Sequence, residues 1–441
     1  MYKIKANYQY LSIIFIFLFI VSPFVNAYSV NSADQLEFDE IYLPTPIDIN
    51  VSIEYLLHHR TCIRSFNETP VSNEQLSTIL WAATGLIDDN NQTINSINGS
   101  LAVKLYVIKK EGVFYYNQIN HSLIFHKEGD YRGIAQYWAP VLIGIVWDRS
   151  KNQNEYIAGA QIGESAQNII LTATALGLGT VPTNDFISPL LNIDLPLNED
   201  PKLVMPLGQP KNPTIWKYRP KYLSFLPKIK DSNSNLSQLL IEMRTTSKFD
   251  DKKLSRQNIS QLLWACYGYS YYIDVSRQNS ITGQRHRTVP SGHGYYPLDI
   301  YAVSSKGVYR YIPGIKYIDS YGYPIITFLQ KRSTGDYRQT IADCSEEFVK
   351  DAPFSIIIVL NVKHTEKRGL RGDDFSALKY RWLWYYEAGS CAHNSLLEAE
   401  AWGMKGNIVE IQNQEKVSDI LKLNEKCIPL FVVPLGFSSK F

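Results

Sequence analysis

The chain has 441 residues, with 45% hydrophobic and 20% charged residues, the balance of a globular protein rather than a disordered one. Its 44 Lys and Arg residues nearly cancel 42 Asp and Glu, leaving a net charge of +2 with the basic residues scattered, which excludes the basic stripe of a nucleic-acid binder. The cysteines Cys62, Cys266, Cys344, Cys391 and Cys427 form no CxxC pair, and the histidines form no HExxH, so no metal site is expected.

In chain order, Lys3 and Lys5 precede an apolar run from Leu11 to Val25, followed by Asn26-Ala27. A basic start, a short apolar core and a small residue at the cut make residues 1–27 a secretory signal. The core is short for a membrane span of about 20 residues. Anchoring through an uncleaved segment is the alternative, and a secreted or extracytoplasmic location is expected. Seven Asn-x-Ser/Thr sequons fit export without establishing it. Residues 28–50 are polar and contain proline, and read as an extended lead-in.

From there the chain says nearly the same thing twice. LLHHRTCIRSFNETPVSNEQLSTILWAATG (56–85) is echoed by LIEMRTTSKFDDKKLSRQNISQLLWACYG (240–268). INGSLAVKLYV (97–107) matches GHGYYPLDIYA (292–302), and GDYR occurs at 129–132 and 335–338. Ala139-Pro140 matches Ala352-Pro353, Gly163 to Gly177 matches Gly389 to Gly403, and Pro206-Leu207-Gly208 matches Pro434-Leu435-Gly436. The order of matches implies two copies of one domain, 51–226 and 235–441, joined by a polar linker at 227–234, each near a common single-domain size of about 200 residues.

Within each copy a helix is expected near the Arg-Thr motif, and a second after a serine cap, Ser72 or Ser255. Alternating strands follow, such as 103–107, then buried strands at 141–147 and 355–360. The most regular helix is predicted over Gly163–Leu176. Strands and helices without strict alternation argue for an α+β fold.

Two motifs carry possible chemistry. Arg60 and Arg64, four apart in RTCIR, would share a helix face and grip a phosphate by charge-assisted bonds; a solvated helix face gives the same spacing. Pro290-Ser291-Gly292 is a turn with little side-chain bulk, able to approach a flat ligand or to be an ordinary loop.

Together these motifs resemble the nitroreductase superfamily. The residues that carry the resemblance are Arg-Thr/Ser-x-x-Arg/Lys, Leu-Trp-Ala-x-x-Gly, Pro-Ser-Gly before a strand, and Ala-Leu-Gly-Leu-Gly. PSGHGYYPLDIYAV and EAGSCAHNSLLEAEAWG are most similar to its SagB-type, azoline-oxidising branch. The resemblance implies an α+β fold of two tandem nitroreductase-like α/β/α domains forming an intramolecular pseudo-dimer. It implies FMN bound between them, with hydride passing through flavin N5 and a small-molecule or peptide substrate. The chain would be a monomer.

Carried over by residue, copy 1 keeps the phosphate end. Arg60, Cys62 (serine in most of the family) and Arg64 hold it, with the later basic pair Lys217 and Arg219. Pro182, Thr183, Asn184 and Asp185 would lie by N5. Copy 1 has Asn95-Ser96-Ile97 where copy 2 has the ring loop Pro290, Ser291 and Gly292. Copy 2 lacks the basic pair. The retained halves belong to one site, so one FMN per chain is expected. No side chain is assigned as a catalytic acid or base. The rival expectation is a decayed flavoprotein serving as a binding or scaffold module, favoured by Cys62 and by an anionic Asp185 near N5.

Overall fold

A computed structural model describes residues 40–97, 99–183, 188–218, 222–276, 284–314, 325–366 and 381–438. The signal-like segment 1–27 and the first part of the lead-in fall outside these residues. Among the described residues no helix is long and apolar enough to cross a membrane.

Each copy builds one main sheet, antiparallel except where the strand at 222–224 joins the copy 2 sheet in parallel. In copy 1 the strands are β1 (Ile41–Tyr42), β2 (Val103–Ile108), β3 (Gly112–Asn117), β4 (Ser122–Glu128), β5 (Val141–Asp148), β6 (Gly179–Thr180) and β7 (Glu199–Gly208), in the order β1-β4-β3-β2-β5-β7-β6. The tail of copy 1 adds β8 (Trp216–Tyr218) and β9 (Tyr222–Ser224). Copy 2 adds β10 (Tyr269–Asp274), β11 (Gln284–Arg287), β12 (Leu298–Ser304), β13 (Gly307–Ile312), β14 (Ile325–Thr334), β15 (Phe354–Asn361), β16 (Lys405–Gly406), β17 (Val409–Glu410) and β18 (Cys427–Gly436). Its sheet runs β9-β14-β13-β12-β15-β18-β16, with β17 also on β18.

The duplication extends to register. Leu105 faces Ile145 and Gly144 faces Val204 in the first sheet; Ile300 faces Ile358 and Ile357 faces Val432 in the second. Gly179 opposite Gly208 is repeated as Lys405 opposite Gly436. Strand 103–107 alternates in sequence, yet both its faces are covered. Val103, Leu105 and Val107 pack under helices, while Tyr106 and Ile108 join a second cluster with Leu142 and Leu190. The polar exception, Lys104, is paired with Asp148 and Glu199 at 3.0 and 2.7 Å.

The helices that frame the junction are α1 (Ile53–His59), α2 (Asn73–Thr84), α3 (Glu155–Ala175), α4 (Leu236–Glu242), α5 (Arg256–Tyr267) and α6 (Arg381–Ala401). Ser72 and Ser255 cap α2 and α5 through full capping boxes, each satisfying otherwise orphaned N–H groups. Helix α3 begins eight residues before Gly163, because Asn154 caps it by accepting from the Tyr156 and Ile157 N–H groups.

The two copies meet where α3 crosses α6. Backbones approach so closely that a Cβ on Gly163 would lie 2.1 Å from the Tyr386 carbonyl, and one on Gly389 2.2 Å from that of Ala160. One apolar core spans the junction, with Ile53, Leu56, Leu57 and Ala160 from copy 1 packed among Leu262, Trp264, Trp384 and Ala388 from copy 2. From Glu40 onward the chain is one compact body. The tail of copy 1 crosses over: β8 pairs with β10, and β9 extends the copy 2 sheet by pairing with β14. The lead-in strand β1 covers the corresponding edge of copy 1 through β4.

Candidate functional site

Helix α1 stops at His59, and Arg60 is its C-cap in extended conformation (φ −65°, ψ 133°). Residues 60–64 are therefore not helical, and the expected shared helix face for Arg60 and Arg64 does not exist. An extended chain alternates sides instead. Cys62 and Arg64 border a hollow between the copies, whereas Thr61 and Ile63 border a groove with Tyr55, His59, Thr180 and Trp216. The segment is pinned by Ile63 N–H donating to Thr180 O at 3.0 Å.

Arg60 is 1% exposed and reaches into copy 2. Its Nη1 donates to the carbonyls of Arg287 (2.8 Å) and Val289 (3.5 Å), and its Nη2 to Cys62 Sγ (3.4 Å). Those carbonyls lead directly into Pro290-Ser291-Gly292. The next carbonyl, Thr288 O, accepts from Gln167 Nε2 on α3 (3.1 Å) and Asn394 Nδ2 on α6 (3.3 Å). The loop is thus held by three side chains, two of them from the other copy.

Glu387 of α6 supplies a further hold that sequence reasoning missed. It is 0% exposed, and accepts from Ser291 Oγ and from Tyr267 Oη, both at 2.6 Å. Burial pushes its carboxyl up to about 7, against the opposing effects of those two hydrogen bonds and of Arg287. The available signal was a lone charge in the stretch Trp382–Cys391. Arg287 lies among the rings of Tyr267, Tyr269 and Tyr296, 4.4, 4.5 and 5.0 Å from their centres.

The hollow of about 130 Å³ is lined by Cys62, Arg64, Pro182 and Thr183 from copy 1 and by Pro290, Ser291, Gly292 and Tyr386 from copy 2. Arg64 also borders a groove of about 710 Å³. The hollow alone is smaller than a usual cofactor pocket of roughly 300–1,000 Å³, so a flavin would need the groove beyond Arg64 as well. Two observations fit such a group. The Tyr386 hydroxyl and Arg60 Nε are buried without a hydrogen-bond partner. A Cβ on Gly292 would meet nothing nearer than Leu383 at 3.9 Å, so the protein itself leaves space over the loop.

The structure thus brings seven of the expected residues to one cavity and Arg60 to its wall. Lys217 is exposed on β8, on the opposite side of the strand from Trp216 and Tyr218, which pack on His59 and Tyr272. Asn184, Asp185 and Arg219 lie outside the described residues.

The pseudo-equivalent place is built differently. Arg244, the counterpart of Arg60, donates to the Ile241 and Met243 carbonyls (2.6 and 2.9 Å) and pairs with Asp88 at 3.4 Å. Asn95, the counterpart of Pro290, is bound to Glu164 through its backbone N–H (3.0 Å) and side-chain amide (2.5 Å). His393 bridges Glu164 and Asn168 at 3.2 and 2.7 Å. Both GDYR repeats close on themselves, Arg132 on Asp130 and Arg338 on Asp336 at 2.7 Å, and have a structural explanation.

The model of the nitroreductase family matches residues 57–209 and 241–437. A Methanocaldococcus jannaschii protein bearing the nitroreductase name is 30% identical over 193 residues, 38% of this chain and 96% of that protein. A crystal structure of a nitroreductase-named protein from Anabaena variabilis shares the fold across both copies, with TM-score 0.63 and 16% identity over 91% of this chain and 94% of that one. Another, from Ralstonia eutropha, is 26% identical with TM-score 0.37, over 39% of this chain and 89% of that one.

Proposed function

Because the chain belongs to the nitroreductase family, we propose that it is an FMN-dependent oxidoreductase with one flavin held between its two fused copies. The observation that carries this reading is the convergence of Cys62, Arg64, Pro182 and Thr183 from one copy with Pro290, Ser291 and Gly292 from the other on a single cavity. FMN bound there supplies hydride chemistry at N5.

The chain's own residues bind and orient. Arg64, with Lys217 and Arg219 from the tail, provides positive charge for the phosphate. Arg60 fixes the loop through two carbonyls. Pro182 and Thr183 line the cavity on the copy 1 side and would lie by N5, and the family resemblance assigns Asn184 and Asp185 to the same side. The loop 290–292 would present little bulk to the ring, and the unpartnered Tyr386 hydroxyl would be available to flavin or substrate.

The substrate is a small molecule or a peptide, and the SagB-like stretches at 290–303 and 387–403 favour the dehydrogenase branch. Export by residues 1–27 belongs to the same reading and is checked by fractionating the producing cell. The direct test is the spectrum of purified full-length protein, before and after FMN is added. Flavin bands that co-purify or are retained support the assignment. A colourless protein that does not retain FMN sinks it and leaves a scaffold role.

A further inference from the structure

Glu387 is a buried titratable group at the cavity wall for which the reading above has no use. Its two oxygens are fully engaged, Oε1 by Tyr267 Oη and Oε2 by Ser291 Oγ, each at 2.6 Å. Ser291 Oγ in turn accepts the Tyr296 N–H at 2.8 Å. A hydroxyl has one proton and two lone pairs. With its proton on Glu387 and one lone pair on Tyr296, Ser291 shows the cavity only its remaining lone pair. A proton on Oε1 would meet Tyr267 Oη, which already accepts the Leu298 N–H at 3.4 Å, and would displace the Tyr267 proton within a buried site, so the acid proton belongs on Oε2; there it occupies the Ser291 lone pair and turns the Ser291 proton toward the cavity.

We propose that Glu387 is a positioning residue that sets the polarity Ser291 presents to a ligand in the shared cavity: acceptor when Glu387 is ionised, donor when it is protonated. This rests on reading that cavity as the FMN site.

The surrounding groups leave Glu387 as the one that changes state near neutrality. Tyr267 comes from α5, Arg287 and Tyr296 from the segments flanking the loop, and Tyr386 and Cys391 from α6 itself; Arg60 and Cys62 of copy 1 lie near Tyr386. Burial raises the Tyr267 and Tyr386 phenols and the Cys391 thiol, and pushes Tyr296 up to about 12. Arg287 stays charged. Those four groups are moved away from neutrality, whereas Glu387, pushed by burial to about 7, gains or loses its charge there. The flavin ring edge presents mostly acceptors, so the protonated state of Glu387 binds it better.

The experiment is to titrate FMN into the full-length chain by fluorescence quenching between about pH 5.5 and 8.5, beside Glu387→Gln and Ser291→Ala. The phosphate's own ionisation affects all three alike and cancels in the ratios. The wild-type Kd, relative to either variant, should rise about 2- to 10-fold as pH passes through about 7. Should Glu387→Gln not fold, Ser291→Ala carries the comparison, since it removes one hydroxyl from a partly exposed loop. A ratio flat with pH, or the same step in Ser291→Ala, overturns the proposal while leaving the cofactor reading intact. Absence of any FMN binding by the wild type defeats both.

Discussion

Arg60 shows how much one side chain's surroundings decide its role. A fully buried guanidinium must find acceptors, and the nearest are the Arg287 and Val289 carbonyls of the other copy. Arg64, two positions beyond Cys62 on the same side of an extended chain, remains open at the cavity and is the better phosphate ligand. A charge-assisted hydrogen bond is worth roughly 1.5–3 kcal/mol. Arg64→Ala should therefore weaken FMN by about 10- to 100-fold, while Lys248→Ala, its counterpart in copy 2, leaves affinity unchanged. Equal losses from the two substitutions would contradict the placement. A second residue sets acid stability. His58 is buried between Trp264 and Tyr271, and its Nδ1 accepts the Tyr271 N–H at 3.0 Å, a bond only the unprotonated nitrogen can make. Burial, with a smaller effect from His59, lowers its pKa to about 3. Between the unfolded value of about 6.5 and that figure the unfolded chain binds the extra proton, so stability should fall as pH drops through this window. Denaturant midpoints over that range should slope less in His58→Gln; an unchanged slope assigns the effect elsewhere.

At the scale of elements, the crossing of α3 and α6 fixes how the copies meet. Glycines at 163 and 389 let the helix backbones touch, and Ser390 Oγ donates to Gly163 O at 2.9 Å. A methyl at Gly163 cannot be relieved by rotating a side chain, because the obstacle is backbone. Gly163→Ala should cost at least the upper part of the usual overpacking range of about 1–3 kcal/mol, seen as a clear drop in Tm together with weaker FMN binding. Gly133→Ala, which meets nothing within 4 Å, is the control and should change neither. This pair was legible as a sequence match, Gly163 with Gly389, because duplicated chains preserve positions where only glycine fits. The strands at 141–148 and 354–361 and the capped helices were legible for similar local reasons. What was not legible was non-local. Residues 60–64 resemble a continuing helix until Thr180 offers Ile63 a partner, and nothing near position 60 announces that its acceptors lie at 287 and 289. The apolar pattern that predicts a helix over Gly163–Leu176 marks only the later part of α3, whose start is set by the Asn154 cap.

The whole molecule is a dimer made covalent and then made unequal. The tail of copy 1 crosses to pair β8 with β10 and β9 with β14, and copy 1's own open edge is closed by β1 from the lead-in. Among the described residues no strand of copy 2 pairs with the copy 1 sheet in return. Because one core is shared across the junction, either copy expressed alone would expose much of α1, α3 or α6, and the two should be stable only together. The inequality also decides stoichiometry. At the shared cavity Arg60 holds the backbone leading into the 290–292 loop, Arg64 stays available and Tyr386 keeps a hydroxyl in hand. At the opposite place Arg244 is bound by two carbonyls and Asp88, Lys405 is paired with Glu400 at 2.5 Å, and Asn95 is tied to Glu164 inside a network that runs through His393. Charges that would attract a phosphate are already neutralised there, and the loop that would meet a ring is committed to the interior. Freeing that place would mean breaking the two hydrogen bonds that Asn95 gives the buried Glu164 and the Arg244–Asp88 pair, a cost the shared cavity does not carry. The full-length chain should accordingly hold one FMN per polypeptide, measured as flavin absorbance against protein concentration after saturation and gel filtration. A ratio near two would show that the Arg244 side opens on binding, and the argument from asymmetry would be wrong.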